Sequence, residues 1–131
     1  MDSSLLIADE RERFDLPGWL RGRPPEPIAV SAVSFSEFWL GVELERNPSR
    51  ARRRRRCLER TFRRLEIVPF DARIARIHSH LWAQVVERGR IIGAHDLIIA
   101  ATALSRNWSV ATFNVSEFEN VPGLTVLEPE A

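Results

Sequence analysis

The chain has 131 residues, the usual length of one domain, and a formal net charge of +1, so it lacks the overall basic footprint of a nucleic-acid binder. All nineteen Lys-or-Arg positions are Arg, which excludes a P-loop lysine, a Schiff-base lysine and a Ser–Lys nucleophile pair. Cys57 is the only cysteine, which excludes an internal disulfide and a cysteine-based zinc finger; no apolar run nears the roughly 20 residues of a membrane span, and a soluble, cytoplasmic protein without membrane contact is expected.

Residues 3–12 read as a short helix, apolar at Leu5, Leu6 and Ile7. Residues 13–27 are rich in Pro, Gly and Arg and read as a loop with one helical turn around Trp19. The β-branched segment 28–30 reads as a buried strand, and Ser31 is placed to cap a helix through Glu45 with Phe35, Phe38, Trp39 and Val42 on one face. Asn47-Pro48 opens the next helix with a cap and a first-turn proline; Leu58, Phe62 and Leu65 face inward to its end at Leu65. Segment 67–69 is a second short strand. Asp71 then caps a helix to about Glu87, striped by Ile74, Ile77, Leu81 and Val85 and ended by Gly89. Gly93 marks the turn into an apolar helix over 94–106, with Asn107 as its stop. Segment 109–112 is a third strand, 114–118 a turn or short helix, 121–123 a turn and 124–127 the last strand. Short apolar strands alternating with helices predict an α/β fold with a parallel sheet covered on both faces.

Four carboxylates draw attention within this order: Asp2, Glu37, Asp96 and Glu117. Glu37 and Asp96 lie in apolar helical stretches with no basic residue three or four positions away, whereas Glu59 has Arg55, Arg56 and Arg63 at helical-neighbour spacing. Glu37 follows one strand, Glu117 follows another, and Asp96 sits in the first turn of its helix, so all three are expected at the carboxyl edge of the sheet, where such folds bind ligands. Two carboxylates about 5 Å apart repel by roughly 3 kcal/mol at an effective dielectric of about 20. A shared Mg²⁺ or Mn²⁺ relieves that repulsion and prefers oxygen ligands. Each acid also has a plainer reading. Asp2 is placed to cap the first helix, Glu37 to lie exposed, Asp96 to favour the helix dipole, and Asn114-x-x-Glu117 to form a capping box.

The other features are weaker. Arg52–Arg56 points all round a helix, which suits a solvated face paired with Glu59 or, alternatively, a phosphate-contacting edge. His78 and His80 point to different faces of one helix; His95 adjoins Asp96. Cys57 is expected to be a buried, inert thiol. Trp39, Trp82 and Trp108 are expected in the core, and Trp19 is the one tryptophan suited to base stacking. Ser3 and Ser4 lack a nucleophile-elbow context.

Taken together, Asp2-Ser3-Ser4-Leu5-Leu6-Ile7, Ile28-Ala29-Val30-Ser31-Ala32-Val33 with Ser36-Glu37-Phe38, the run from Gly93-Ala94-His95-Asp96 to Ala103, Ala111-Thr112-Phe113-Asn114-Val115-Ser116-Glu117-Phe118 and Val121-Pro122-Gly123-Leu124 resemble the PIN-domain proteins, in their VapC-type toxin ribonuclease branch. The resemblance spans nearly the whole chain as one domain. It implies a three-layer α/β/α sandwich and a Mg²⁺- or Mn²⁺-dependent endoribonuclease acting on structured RNA such as tRNA or ribosomal RNA. Asp2 and Asp96 would be the principal metal ligands, with Glu37 and Glu117 completing the catalytic cluster and Ser4, Thr112 and Asn114 supporting it. Arg52, Arg53, Arg56 and His95 are candidates to contact RNA. A VapB-type antitoxin and a homodimer are the implied partners. Two departures stand out. Only Met1 precedes Asp2, where the family has several apolar strand residues: either the true start lies upstream, or this strand is severely shortened and Asp2 poorly anchored, which gives a rival reading, a PIN-like module that binds antitoxin or RNA without cutting. His95 replaces a small or amide residue.

Overall fold

Capping chemistry sets the helix starts. In the computed structural model, which describes residues 1–23, 29–63, 65–90 and 92–130 (and the backbone alone of Ser3, Leu6 and Glu10), the elements are α1 (Ser3–Glu10), α2 (Leu16–Gly22), β1 (Ala29–Ser31), α3 (Ala32–Leu44), α4 (Pro48–Phe62), β2 (Glu66–Val68), α5 (Ala72–Glu87), α6 (Ala94–Ser105), β3 (Val110–Ala111), α7 (Val115–Phe118) and β4 (Val126–Leu127). Ser31 accepts from the Val33 amide, Asn47 from those of Ser49 and Arg50, and Asp71 from that of Ile74. Each satisfies a donor that the first helical turn leaves unpaired. Asn107 stops the chain after α6 with φ +55, a left-handed conformation that asparagine tolerates. Ile28 and residues 24–27, expected in a strand and a loop, and Arg64, expected in the fourth helix, lie outside the described residues.

Most boundaries shift from expectation by one or two residues, and two differences are larger. The fourth helix ends at Phe62 rather than Leu65, because Leu65 turns into the core and its amide bonds the Phe62 carbonyl at 3.3 Å. The turn around Trp19 is a full helix, α2, started by Asp15, whose carboxylate accepts from the Gly18 amide.

At the end of α1 the chain forms a Schellman stop. The Arg13 amide bonds the Ala8 carbonyl at 2.9 Å, the Glu12 amide bonds that of Asp9 at 3.0 Å, and Glu12 takes φ +57. Glutamate carries a steric penalty there that glycine does not. Glu12→Gly should therefore stabilise the fold by ~0.5–1 kcal/mol, a rise of ~3 °C in Tm by calorimetry. An unchanged or lower Tm would contradict the strain.

The sheet is built from parallel pairs, β1 with β2 and β3 with β4, in registers such as Val30↔Ile67 and Val110↔Val126. The first two residues of the chain join them. The Met1 amine donates to the Ala29 carbonyl and the Asp2 amide to that of Ala111, both at 2.9 Å. This gives the order β2–β1–(residues 1–2)–β3–β4. Successive strand residues point to opposite faces. Ala29 and Val110 join a core with Leu81, Leu97, Ala100 and Phe118, whereas Val30 and Ala111 join one with Leu5, Leu16, Phe38, Leu58 and Phe62. Helices α5, α6 and α7 cover one face and α1 to α4 the other, the three-layer sandwich expected from the sequence.

The tryptophans do not all sit in this core. Trp82 is 57% exposed on α5, beside His78 and in line with exposed Val86. The stripe Ile74, Leu81 already fills the inward face of that helix. Among the described residues no helix is long and apolar enough to cross a membrane.

Candidate active site

Asp2 opens α1 but does not cap it; its side chain makes no capping bond. Its carboxylate instead faces the end of β3, where the Thr112 hydroxyl donates to Oδ2 at 2.6 Å. Thr112 has one proton, so its remaining contacts must be accepted. It accepts from the Asn114 amide at 2.9 Å, and Ser4 Oγ, 3.3 Å away, is the donor of that pair. Ser4 in turn accepts from the Phe113 amide at 2.9 Å. Asp2 is 1% exposed and Thr112 fully buried. Asp2 is thus not loose, contrary to expectation. Backbone pairing to Ala111 and the Thr112 hydroxyl fix it from both ends.

Glu37 lies on the second turn of α3. The partner absent from its own helix comes from α6, where His95 Nδ1 stands 2.9 Å from Glu37 Oε1. A carboxylate oxygen accepts, so Nδ1 carries the proton in this contact. Asp96, the next residue, is half-buried in the first turn of α6. Asn114 precedes α7 without a side-chain cap, so the capping box expected with Glu117 does not form.

Electrostatics ties the four acids together. Burial, then the negative charges of Asp2, Glu117 and Glu37, push the Asp96 carboxyl up to about 6, while His95 pulls the other way. Three segments far apart in sequence therefore act on the carboxylate of a fourth. Among the described residues no three acidic, histidine or cysteine side chains close into a ready-made metal cage. An oxygen-only set that is mutually repulsive and loosely spaced nonetheless suits a hard ion. Mg²⁺ dehydrates reluctantly and binds through one or two carboxylates while keeping waters.

The arginine run stands apart from this cluster. Arg52, Arg53 and Arg56 are exposed on α4. Arg50 and Arg54 pair with Glu45, and Arg54 also donates to the Gly41 carbonyl, which ties α4 to α3. Glu59, expected to pair with the run, makes no ion pair among the described residues; Glu45 across the turn pairs with Arg50 and Arg54, and Arg55 lies over the Trp39 ring. Trp19 does not offer a free ring for base stacking. Arg23 lies over it at 4.7 Å and Phe14 packs beside it at 6.0 Å. Cys57 is half-buried rather than buried.

Comparison with known proteins places this arrangement. The PIN domain matches residues 1–124. The chain belongs to the PIN-domain family, in its VapC branch. It is 32% identical over 117 residues to the tRNA(fMet)-specific endonuclease VapC of Shigella flexneri, covering 89% of this chain and 81% of that one. It is also 32% identical over 121 residues to the VapC ribonuclease Y4jK of Sinorhizobium fredii, covering 85% and 81%. Its backbone matches the FitAcB structure from Neisseria gonorrhoeae with a TM-score of 0.84 at 27% identity, covering 96% of this chain and 94% of that one. A DNA-bound VapBC structure from Salmonella typhimurium matches with a TM-score of 0.83 at 26% identity, covering 97% and 94%. In this PIN domain the feature that sequence reasoning missed is the His95–Glu37 contact. Its one signal was the position of His95 beside Asp96.

Proposed function

We propose that this PIN-domain protein is the toxin of a VapBC-type pair and a Mg²⁺- or Mn²⁺-dependent endoribonuclease that cuts structured RNA. The observation that carries the reading is the gathering of carboxylates from separate parts of the chain, with Asp2, Glu37 and Glu117 all acting on half-buried Asp96. Asp2 and Asp96 would hold the ion, with Glu37 and Glu117 contributing directly or through water. When bound, such an ion lowers the pKa of a water and neutralises charge on a phosphodiester.

The protein's own groups set the stage for that chemistry. Thr112 and Ser4 hold Asp2 in one orientation through a directed chain of hydrogen bonds. His95 holds Glu37 at the mouth of the site. The attacking water adds to phosphorus as the opposite ribose oxygen leaves. The buried anchoring of Asp2 supports cutting over the rival reading of a module that only binds, since that rival rested on a loose Asp2.

Relatives named as ribonucleases, and structural neighbours that are VapBC complexes, support RNA as substrate and a VapB-type antitoxin as partner. We propose a homodimer acting in the cytoplasm. The test is incubation of purified protein with tRNA, ribosomal RNA and DNA, with Mg²⁺ or Mn²⁺ and with EDTA. Cleavage of RNA that EDTA abolishes is the expected result. Metal-independent cleavage, or preferential cutting of DNA, would overturn the reading.

A further inference from the structure

A cleft of about 420 Å³ lies beside the acidic cluster and is lined by Ser4, Ile7, Ala8, Arg11, Arg13, Phe113 and Asn114. Two of its walls belong to the site already described. Ser4 is the residue that holds Thr112, and Asn114 follows Thr112 by two positions. The cleft then runs along one face of α1, from Ser4 past Ile7 and Ala8 to Arg11. Seven residues of helix place Arg11 about 10 Å beyond Ser4 along the axis. That is too far to share the scissile phosphate and suited to a neighbouring one.

The outer end of the cleft is cationic. Arg11 and Arg13 are exposed, and among the described residues neither makes an ion pair. They flank Glu12 in the Schellman stop, so the backbone between the two guanidinium stems is fixed by two hydrogen bonds. Phe113 packs edge-on against Phe14 at 5.2 Å and gives the cleft a half-exposed aromatic wall. Positive groups at one end, a ring at the side and an acidic cluster at the other end match an extended nucleic-acid strand.

We infer that this cleft carries the single-stranded RNA segment leading out of the acidic site, with Arg11 and Arg13 binding backbone phosphates next to the one that is cut. The inference rests on the ribonuclease reading for the chemistry, but binding can be measured apart from it. The arginine run on α4 is then not the principal RNA contact.

The test uses a fluorescein-labelled single-stranded oligoribonucleotide in EDTA, with anisotropy measured across a KCl series. The double variant Arg11→Ala/Arg13→Ala should bind about tenfold more weakly. The slope of log affinity against log salt should fall by about 1.4, the share of two phosphate contacts on a single strand. In cleavage assays with metal, KM should rise about tenfold with kcat within about twofold. The charge-matched variant Arg73→Ala/Arg76→Ala on α5 should change neither slope nor KM. If the double variant shows the expected loss of affinity and fall in slope while wild type never cuts RNA, the cleft is supported and the ribonuclease reading is defeated. Wild type that cuts RNA while the double variant keeps its affinity, slope and KM overturns the cleft and leaves the ribonuclease reading intact.

Discussion

Asp96→Asn should reduce RNA cleavage by about 100-fold or more and, in metal-free buffer at pH 7, raise the melting temperature. Both effects come from one charge. The carboxyl of Asp96 is pushed from its ordinary 3.8 up to about 6 by burial and by Asp2, Glu117 and Glu37. A folded pKa above the unfolded one means that the native state holds the proton more tightly. The metal-free fold therefore loses stability as pH rises from about 4 to about 6, and the full cost is present above that window. The shift amounts to ~1–2 kcal/mol once solvent screening of a half-buried group is allowed for. Asparagine removes the charge and with it the cost, so a gain of ~3–6 °C is expected at pH 7 and almost none at pH 4. Mg²⁺ should raise the melting temperature of wild type at pH 7 and leave that of the variant nearly unmoved. Calorimetry at the two pH values, with and without Mg²⁺, checks this. A variant that cuts RNA like wild type, or melts lower at pH 7 without metal, would remove Asp96 from the role assigned to it.

Thr112→Val should cost about 10- to 100-fold in cleavage and ~1–3 kcal/mol in stability. The hydroxyl is fully buried and serves three partners at once. It donates to Asp2 Oδ2, and it accepts from Ser4 Oγ and from the Asn114 amide. Valine has nearly the same shape and offers none of these contacts. Asp2 would keep its backbone bond to Ala111 but lose the Thr112 hydroxyl from its carboxylate. Thr112→Ser restores the hydroxyl and should recover most of both losses. Equal activity in the valine and wild-type proteins would show that the orientation of Asp2 is set elsewhere.

Much of the fold was legible because its signals are local. Asn47-Pro48, Ser31, Asp71 and Asn107 act within a few residues of themselves, and each starts or stops the helix it was expected to. The apolar periodicity of Ile74, Ile77, Leu81 and Val85 likewise named the inward face of α5. The four acids of the candidate site could be named from the sequence. What held those acids could not, because the contacts bridge long stretches of chain. Thr112 meets Asp2 across 110 positions, and His95 meets Glu37 from another helix. The exposed Trp82 illustrates a different limit. Hydropathy alone does not say whether an aromatic one turn from a full core stripe is inside or outside. Arg11 read only as part of the end of a helix, and Arg13 as the start of a loop, until folding set Phe113 and Asn114 beside them.

The seam between the two strand pairs has a further consequence. The dipeptide that stitches the sheet together also delivers the first carboxylate, so architecture and charge make separate demands on a single position. Asparagine there would keep the seam closed while silencing the charge, whereas proline would lack the amide that closes it. Tolerance at Asp2 is therefore narrower than either demand alone would set.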